Sequence, residues 1–465
     1  MRVRRLTPAV GLCGVVVGVA LILPSVGISG PGAGPLSARS CIDDNDFNTD
    51  PQQGEDSCSK ETNGLSGARA VVVSPDGKSV YVSSEDDDAI AIFKRNASSG
   101  KLKPKGCVDD NDPAQGEDNC AESTDGLGGT GAMVISENGK SLYAVGEADD
   151  AVVRFNRNQS TGALNPAGCV DDNDVGVDPT QGEDVCAQTT NGLAGVSALA
   201  ISPNDKQLYA VSEGDDAVVR FNRASDGSIT PQTCIDDNDA GQGEDTCAQS
   251  SDGMEGATGV AISPNGESLY VSSEHDAALV RFARNKENGT IGPQDCIDDD
   301  TGPDTCADQA KGLVSPESLV LSPKGDSLYL VAEGSHAVLR FDRNKSSGSL
   351  KPKGCIEDKQ EGTDGCPDKA HGLSEAGGLA ISPNGKALYV SAGGDDAVTA
   401  IKRKNSGSIK VQGCVDDNDN GSGEGKCDSK TDGLGEPEGV AVSPDGKHIY
   451  VAAEGDDAVV LLKRG

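Results

Sequence analysis

The stretch Val71–Val82, VVVSPDGKSVYV, decides how the rest of the chain is read. Two short apolar runs rich in β-branched residues flank Ser-Pro-Asp-Gly, a turn in which proline presets φ and glycine tolerates a positive φ. Such a pattern predicts paired strands rather than a helix. The phrase returns as VISENGKSLYA, AISPNDKQLYA, AISPNGESLYV, VLSPKGDSLYL, AISPNGKALYV and AVSPDGKHIYV. Its serine recurs at Ser74, Ser136, Ser202, Ser263, Ser322, Ser382 and Ser443, and self-similarity with a period of about sixty residues marks a repeat architecture.

Other positions keep the same register. Seven residues after each serine stands a tyrosine, from Tyr81 to Tyr450, and nineteen after it stand Phe93, Phe155, Phe221, Phe282, Phe341, Ile401 and Leu462. Sixteen residues before it stands a cysteine, so most length variation falls in one segment of the repeat. In the third repeat the turn signals separate four strands: LAGVSALAIS at 193–202 (a), KQLYAVS at 206–212 (b), AVVRFNR at 217–223 (c) and SITPQTCI at 228–235 (d). Four antiparallel strands per unit and seven units predict an all-β, seven-bladed β-propeller. The last repeat stops after strand c at LLKRG, while GPLSARSCIDD from Gly34 aligns on the strand-d segment GKLKPKGCVDD from Gly100. The N-terminal strand is therefore expected to complete the last blade, which removes two exposed sheet edges. One propeller domain over 34–465 follows.

The segments SPDGKSVYVSSE, DDAIAIFKRN and SSGKLKP resemble the repeat of YVTN-type and lactonase-type seven-bladed propellers. The resemblance spans essentially the whole repeat region and implies the fold. It implies less about activity, because this repeat serves binding proteins and enzymes alike.

Residues 1–30 differ in character: Arg2, Arg4 and Arg5 precede a long apolar run, which reads as a secretory signal or, alternatively, an uncleaved anchor. With Cys13 inside that run, fourteen cysteines remain, and an even number in an exported chain favours disulfides. One pair per repeat gives the simplest connectivity: Cys41–Cys58, Cys107–Cys120, Cys169–Cys186, Cys234–Cys247, Cys296–Cys306, Cys355–Cys366 and Cys414–Cys427. A secreted or cell-surface monomer is expected, touching membrane only through an uncleaved N-terminal segment.

The chain carries 75 acidic against 40 basic residues, a balance that argues against nucleic acid and anionic membrane as partners. Alternating strand direction puts the stapled d-to-a loops and the b–c turns on one face. Together they hold 52 of the 75 carboxylates. The opposite face takes turns such as PDGK and KRNASSGKLK. An acidic rim of this kind would meet a cation, a basic protein or a cationic cell-wall component. DDND followed by GED offers oxygen ligands suited to a hard ion, and the expected cofactor is calcium. The candidate ligands are Asp43, Asp44 and Asp46; Asp109, Asp110, Asp112, Glu117 and Asp118; Asp171, Asp172, Asp174, Glu183 and Asp184; Asp236, Asp237, Asp239, Glu244 and Asp245; and Asp416, Asp417 and Asp419. The loops of repeats 5 and 6 fit less well.

Two functions remain open at this point. One is an exported, stapled propeller acting as a binding or cell-surface scaffold. The other, implied by the resemblance, is an extracellular lactonase-like hydrolase, whose family is expected to use channel His, Arg and Glu side chains. Here the predicted inner strands read as small and apolar, and His275, His336, His371 and His448 fall outside them. Glu317 and Glu438, which open two of the a strands, are the catalytic candidates. Arg154, Arg220, Arg281 and Arg340 recur at one strand-c position and read as structural.

Overall fold

The computed structural model describes residues 36–44, 58–111, 120–173, 186–238, 247–299, 306–418 and 426–464. The expected signal or anchor at 1–30 lies outside them. Seven sheets are formed, each around one copy of the repeat. In the first, strand a is Ala68–Val73, b is Ser79–Ser84, c is Ala89–Arg95 and d is Leu102–Asp110, paired antiparallel in that order. The a strands of neighbouring sheets meet one another, which places them innermost around the channel. The seven-bladed propeller read from the repeat is the fold.

The last blade closes as expected. Its strands Pro437–Val442, His448–Ala453 and Ala458–Arg464 are completed by Leu36–Asp44, which pairs antiparallel with the final strand from Leu36↔Arg464 to Asp43↔Ala458. Both chain ends thus share one sheet, and the ring has no open edge there.

Each sheet also has a fifth strand that sequence did not reveal. In blade 1 it is Glu122–Thr124, lying parallel to strand d with Val108 opposite Glu122 and Asp110 opposite Thr124. The segment is short and polar, so neither hydrophobic alternation nor propensity marks it. It forms because the disulfide brings the returning leg beside strand d. All seven predicted disulfides are present, with Cα–Cα separations of 5.0 to 5.3 Å. Seven such bridges point to an oxidising, extracellular or periplasmic location.

The core lies between blades rather than within them. Tyr81, Ile90 and Val108 of blade 1 pack against Leu127, Met133, Leu142 and Phe155 of blade 2, and six equivalent clusters complete the ring. Six of the seven blade pairs are also latched, among the described residues, at the face bearing the a–b and c–d turns. Arg157 Nε donates to the Tyr81 hydroxyl at 2.7 Å, Tyr81 donates to the Gly162 carbonyl at 2.7 Å, and Arg157 Nη1 donates to the Gly139 carbonyl at 3.0 Å. The same Arg–Tyr bond recurs for Arg95, Arg223, Arg284, Arg343 and Arg403. Arg154, Arg220, Arg281 and Arg340 reach from strand c to carbonyls of the next blade's c–d turn, at 2.6 to 3.1 Å.

Candidate functional site

The acidic face must be divided before a site can be found on it. The second carboxylate after each first cysteine stands at or just past the end of strand d and accepts the amide of the leucine or methionine that precedes strand a. Asp110 takes Leu127 at 2.8 Å, and Asp44, Asp172, Asp237, Asp299, Asp358 and Asp417 repeat the bond at 2.7 to 3.3 Å. The carboxylate before it can tie strand d to the returning leg, as Asp236 does with the Cys247 amide at 3.1 Å and Asp416 with Cys427 at 3.3 Å. These residues, with Asp43, Asp109 and Asp171 of the same strands, sit at the root of the stapled loops. Asp46, Asp112, Glu117, Asp118, Asp174, Glu183, Asp184, Asp239, Glu244, Asp245 and Asp419 lie outside the described residues.

The b–c turns are used in the same way. Their third residue accepts an amide of its own blade: Asp87 from Ser66 at 2.8 Å, Asp215 from Ala194 at 2.8 Å. Their fourth residue accepts from the next blade: Asp88 from Gly129 at 2.6 Å, Asp150 from Gly195 at 2.6 Å, Asp216 from Gly256 at 2.7 Å and Asp457 from Gly67 at 2.8 Å. These four aspartates take a left-handed φ of 47 to 51°, which Asp tolerates better than most residues. Burial raises their pKa values to about 6, against the pull of the amides they accept.

The first residue of each b–c turn stands outside this pattern. Glu85, Glu147, Glu213, Glu274, Glu333 and Glu454 occupy it in six blades, and Gly393 in the seventh. Each is fixed beside the start of its own strand a: the Glu85 amide donates to the Gly67 carbonyl at 2.9 Å and that of Glu213 to Gly195 at 2.9 Å. Because the a strands ring the channel, these side chains gather at its mouth. The second position of strand a adds Arg69, Gly131, Ser197, Thr258, Glu317, Gly377 and Glu438. The two sequence candidates, Glu317 and Glu438, are therefore brought to the mouth as expected of that position. The inner strands are not uniformly small, however, because the same position also holds Arg69.

Arg69 is buried and pairs with Glu85 and with Glu147 at 3.4 Å. Burial works against its charge, but Glu85, Glu147, Glu454 and Glu438 outweigh it and raise its pKa. Burial, then repulsion from Glu454, lifts the Glu438 carboxyl to about 8 despite Arg69 nearby. Glu317 is 2% exposed, and burial followed by Glu274, Glu333, Glu438 and Glu213 pushes it well above the usual carboxyl range. That charges of different blades act on one another so strongly follows from their convergence on the axis. His275, which sequence placed outside the inner strands, lies with Glu213 and Glu274 in a cluster whose ligand atoms are all within 4.8 Å. The glutamate ring was missed because nothing in the repeat marks a turn's first residue as axial, and Arg69 because no other repeat puts a basic residue at its strand-a position. A groove of about 650 Å³ lined in part by Lys78, Lys94, Arg95 and Lys105 lies between blades 1 and 2, at the latched face.

The family model for "Lactonase, 7-bladed beta-propeller" matches residues 43–170, 121–295, 239–354 and 298–465. The chain belongs to the seven-bladed lactonase family. No curated protein matches it. Among solved structures, a protein of Bacteroides uniformis provisionally named a 6-phosphogluconolactonase is 18% identical, with a TM-score of 0.53 over 77% of this chain and 86% of that one. The periplasmic gluconolactonase of Pseudomonas aeruginosa is 16% identical, with a TM-score of 0.53 over 82% and 92%. The β-propeller domain of Cps50 (Swd1) from Myceliophteria thermophila is 10% identical, with a TM-score of 0.51 over 85% and 96%. Such likenesses carry the fold alone, and chemistry must be argued from the site.

Proposed function

We propose that this family member is a secreted or cell-surface binding scaffold whose working surface is the carboxylate-lined channel mouth, which takes a cationic ligand. One observation carries the reading: once the carboxylates committed to backbone amides are set aside, eight glutamates still converge on the axis around Arg69. Crowded like charges destabilise the fold unless a cation offsets them, so their concentration at one opening favours a positively charged partner. A basic protein segment or a cationic cell-wall component fits this chemistry. Calcium at the outer parts of the stapled loops belongs to the same reading.

The test is binding of the disulfide-intact chain to an oligolysine probe at low and high salt. Saturable binding that weakens at least tenfold between 50 and 300 mM salt, and again in a Glu85→Gln/Glu147→Gln/Glu454→Gln variant, is the expected result. Absence of binding at low salt would overturn the proposal.

A second reading rests on Arg69 beside Glu438. As water adds to the lactone carbonyl, the guanidinium would stabilise the oxyanion and the protonated Glu438 carboxyl would give its proton to the ring oxygen as the acyl C–O bond breaks, the proton lost by the water restoring the carboxyl. The glutamate ring would favour a neutral sugar lactone over a phosphorylated one. Turnover on a panel containing both, abolished in Glu438→Gln and Arg69→Met, supports this reading; no turnover of either removes it.

A further inference from the structure

We propose that the channel mouth over blades 3 to 5 holds one divalent metal ion, ligated by Glu213, Glu274, His275 and Glu317, and that it is a zinc- or manganese-type site rather than a calcium site. The inference rests on the cationic reading above and gives part of that surface a specific occupant.

Three observations lead to it. Glu213, Glu274 and His275 come from the b–c turns of adjacent blades and already place their ligand atoms within 4.8 Å of one another. Metal–ligand bonds of about 2.0–2.2 Å put two ligand atoms no more than about 4.4 Å apart, so small side-chain rotations suffice to close around an ion. Second, Glu317 is 2% exposed and its Oε1 has no hydrogen-bond partner. A buried carboxylate oxygen left without a donor costs free energy that a bound cation would remove. Its strand, Pro316–Leu321, packs against strands Ala257–Ile262 and Ser268–Ser273 of blade 4, which seats Glu317 beside the turn that carries Glu274 and His275.

Third, blade 4 departs from the repeat where the ligand would be needed. Its b–c turn reads EHDA where blades 3 and 7 read EGDD, so an imidazole enters at the second position and the fourth-position Asp is lost to Ala277. Gly256 admits the ring: a Cβ there would lie 2.9 Å from His275 Nδ1. The supporting backbone is fixed, since the Glu274 amide donates to the Gly256 carbonyl at 2.7 Å and Ser272 Oγ donates to the Glu317 carbonyl at 2.8 Å. Carboxylates alone would suit calcium, whereas a mixed carboxylate and imidazole set suits zinc or manganese.

The experiment titrates the chelator-treated, disulfide-intact chain separately with zinc, manganese and calcium chlorides by calorimetry, with thermal unfolding alongside. One equivalent of zinc or manganese is expected, bound at least tenfold more tightly than calcium and raising the melting temperature. Glu274→Gln and Glu317→Gln should each weaken binding at least tenfold. His275→Gln should bring zinc down to the calcium affinity, while Glu267→Gln, on the opposite face, should change nothing. No saturable zinc or manganese binding, or binding undiminished in Glu274→Gln and Glu317→Gln alike, overturns the site. Oligolysine binding that survives such a failure leaves the cationic surface standing, and loss of both overturns both. Calcium binding that ignores Glu317→Gln, without zinc or manganese, places the ion in the loops and also overturns the site.

Discussion

The two faces of the ring lock neighbouring blades with charges of opposite sign. On the stapled face, Asp88 and its equivalents accept amides of the next blade; on the other, Arg157 and its equivalents donate to a tyrosine hydroxyl and to turn carbonyls. The difference follows from which backbone groups each face leaves without a strand partner. Entry into strand a presents N–H groups, which call for acceptors, and the a–b and c–d turns present C=O groups, which call for donors. Much of the polarity read from composition is thus a consequence of strand direction. The part that needs a functional account is the glutamate ring at the axis.

Acid should separate the two faces most clearly. For Asp88, Asp150, Asp216 and Asp457 the folded pKa of about 6 exceeds the unfolded value of 3.8, and for Glu438 about 8 exceeds 4.5. The folded state therefore holds protons that the unfolded state has released, and stability falls as pH rises through this interval. Melting should be several degrees higher near pH 5 than near pH 8. Asp76, Asp326 and Asp445 at the latched face behave oppositely, because Ser74, Ser322 and Ser443 with nearby arginines outweigh desolvation and lower their pKa values. Their contribution should be lost only as pH falls below about 4. A melting curve that declines steadily from pH 8 to 5 would contradict this division.

Single substitutions sharpen the comparison. Arg157→Ala strips donors from Tyr81, Gly139 and Asp76 at once and should cost about 3–5 kcal/mol in denaturant unfolding. Cys107→Ser with Cys120→Ser, which frees the leg carrying the fifth strand, should cost about 2–4 kcal/mol. Asp150→Ala leaves the Gly195 amide without its acceptor and should cost about 1–3 kcal/mol. Asp150→Asn keeps an acceptor and removes the charge, so its effect at pH 7 should stay within about 0.5 kcal/mol. A loss in Asp150→Asn as large as in Asp150→Ala would show that charge, and not amide satisfaction, is what the stapled face requires.

The fold was legible because it is written seven times. Ser74 and its sisters fix the hairpin, Tyr81 and Phe93 fix the interblade core, and the second cysteine of each pair keeps a constant distance from the serine. The site was half legible. Glu317 and Glu438 could be placed at the mouth because strand a is innermost, but Arg69 occupies the same register position and went unremarked. The aspartates proposed as ligands looked alike in sequence, although Asp110 and Asp88 each satisfy a particular amide. His275 could not be read as a ligand because Glu213, which it meets, belongs to a different repeat.

The sequence by itself determined the repeat, the strand order, the disulfide pairing and the closure of the last blade, since each depends on spacing along the chain. Tertiary structure alone decided which of the 75 carboxylates hold backbone amides and which face the axis. A hydrogen bond to an amide some forty residues away, or a ring of turns from six blades, is set by how sheets pack around a centre. That geometry has no period along the chain.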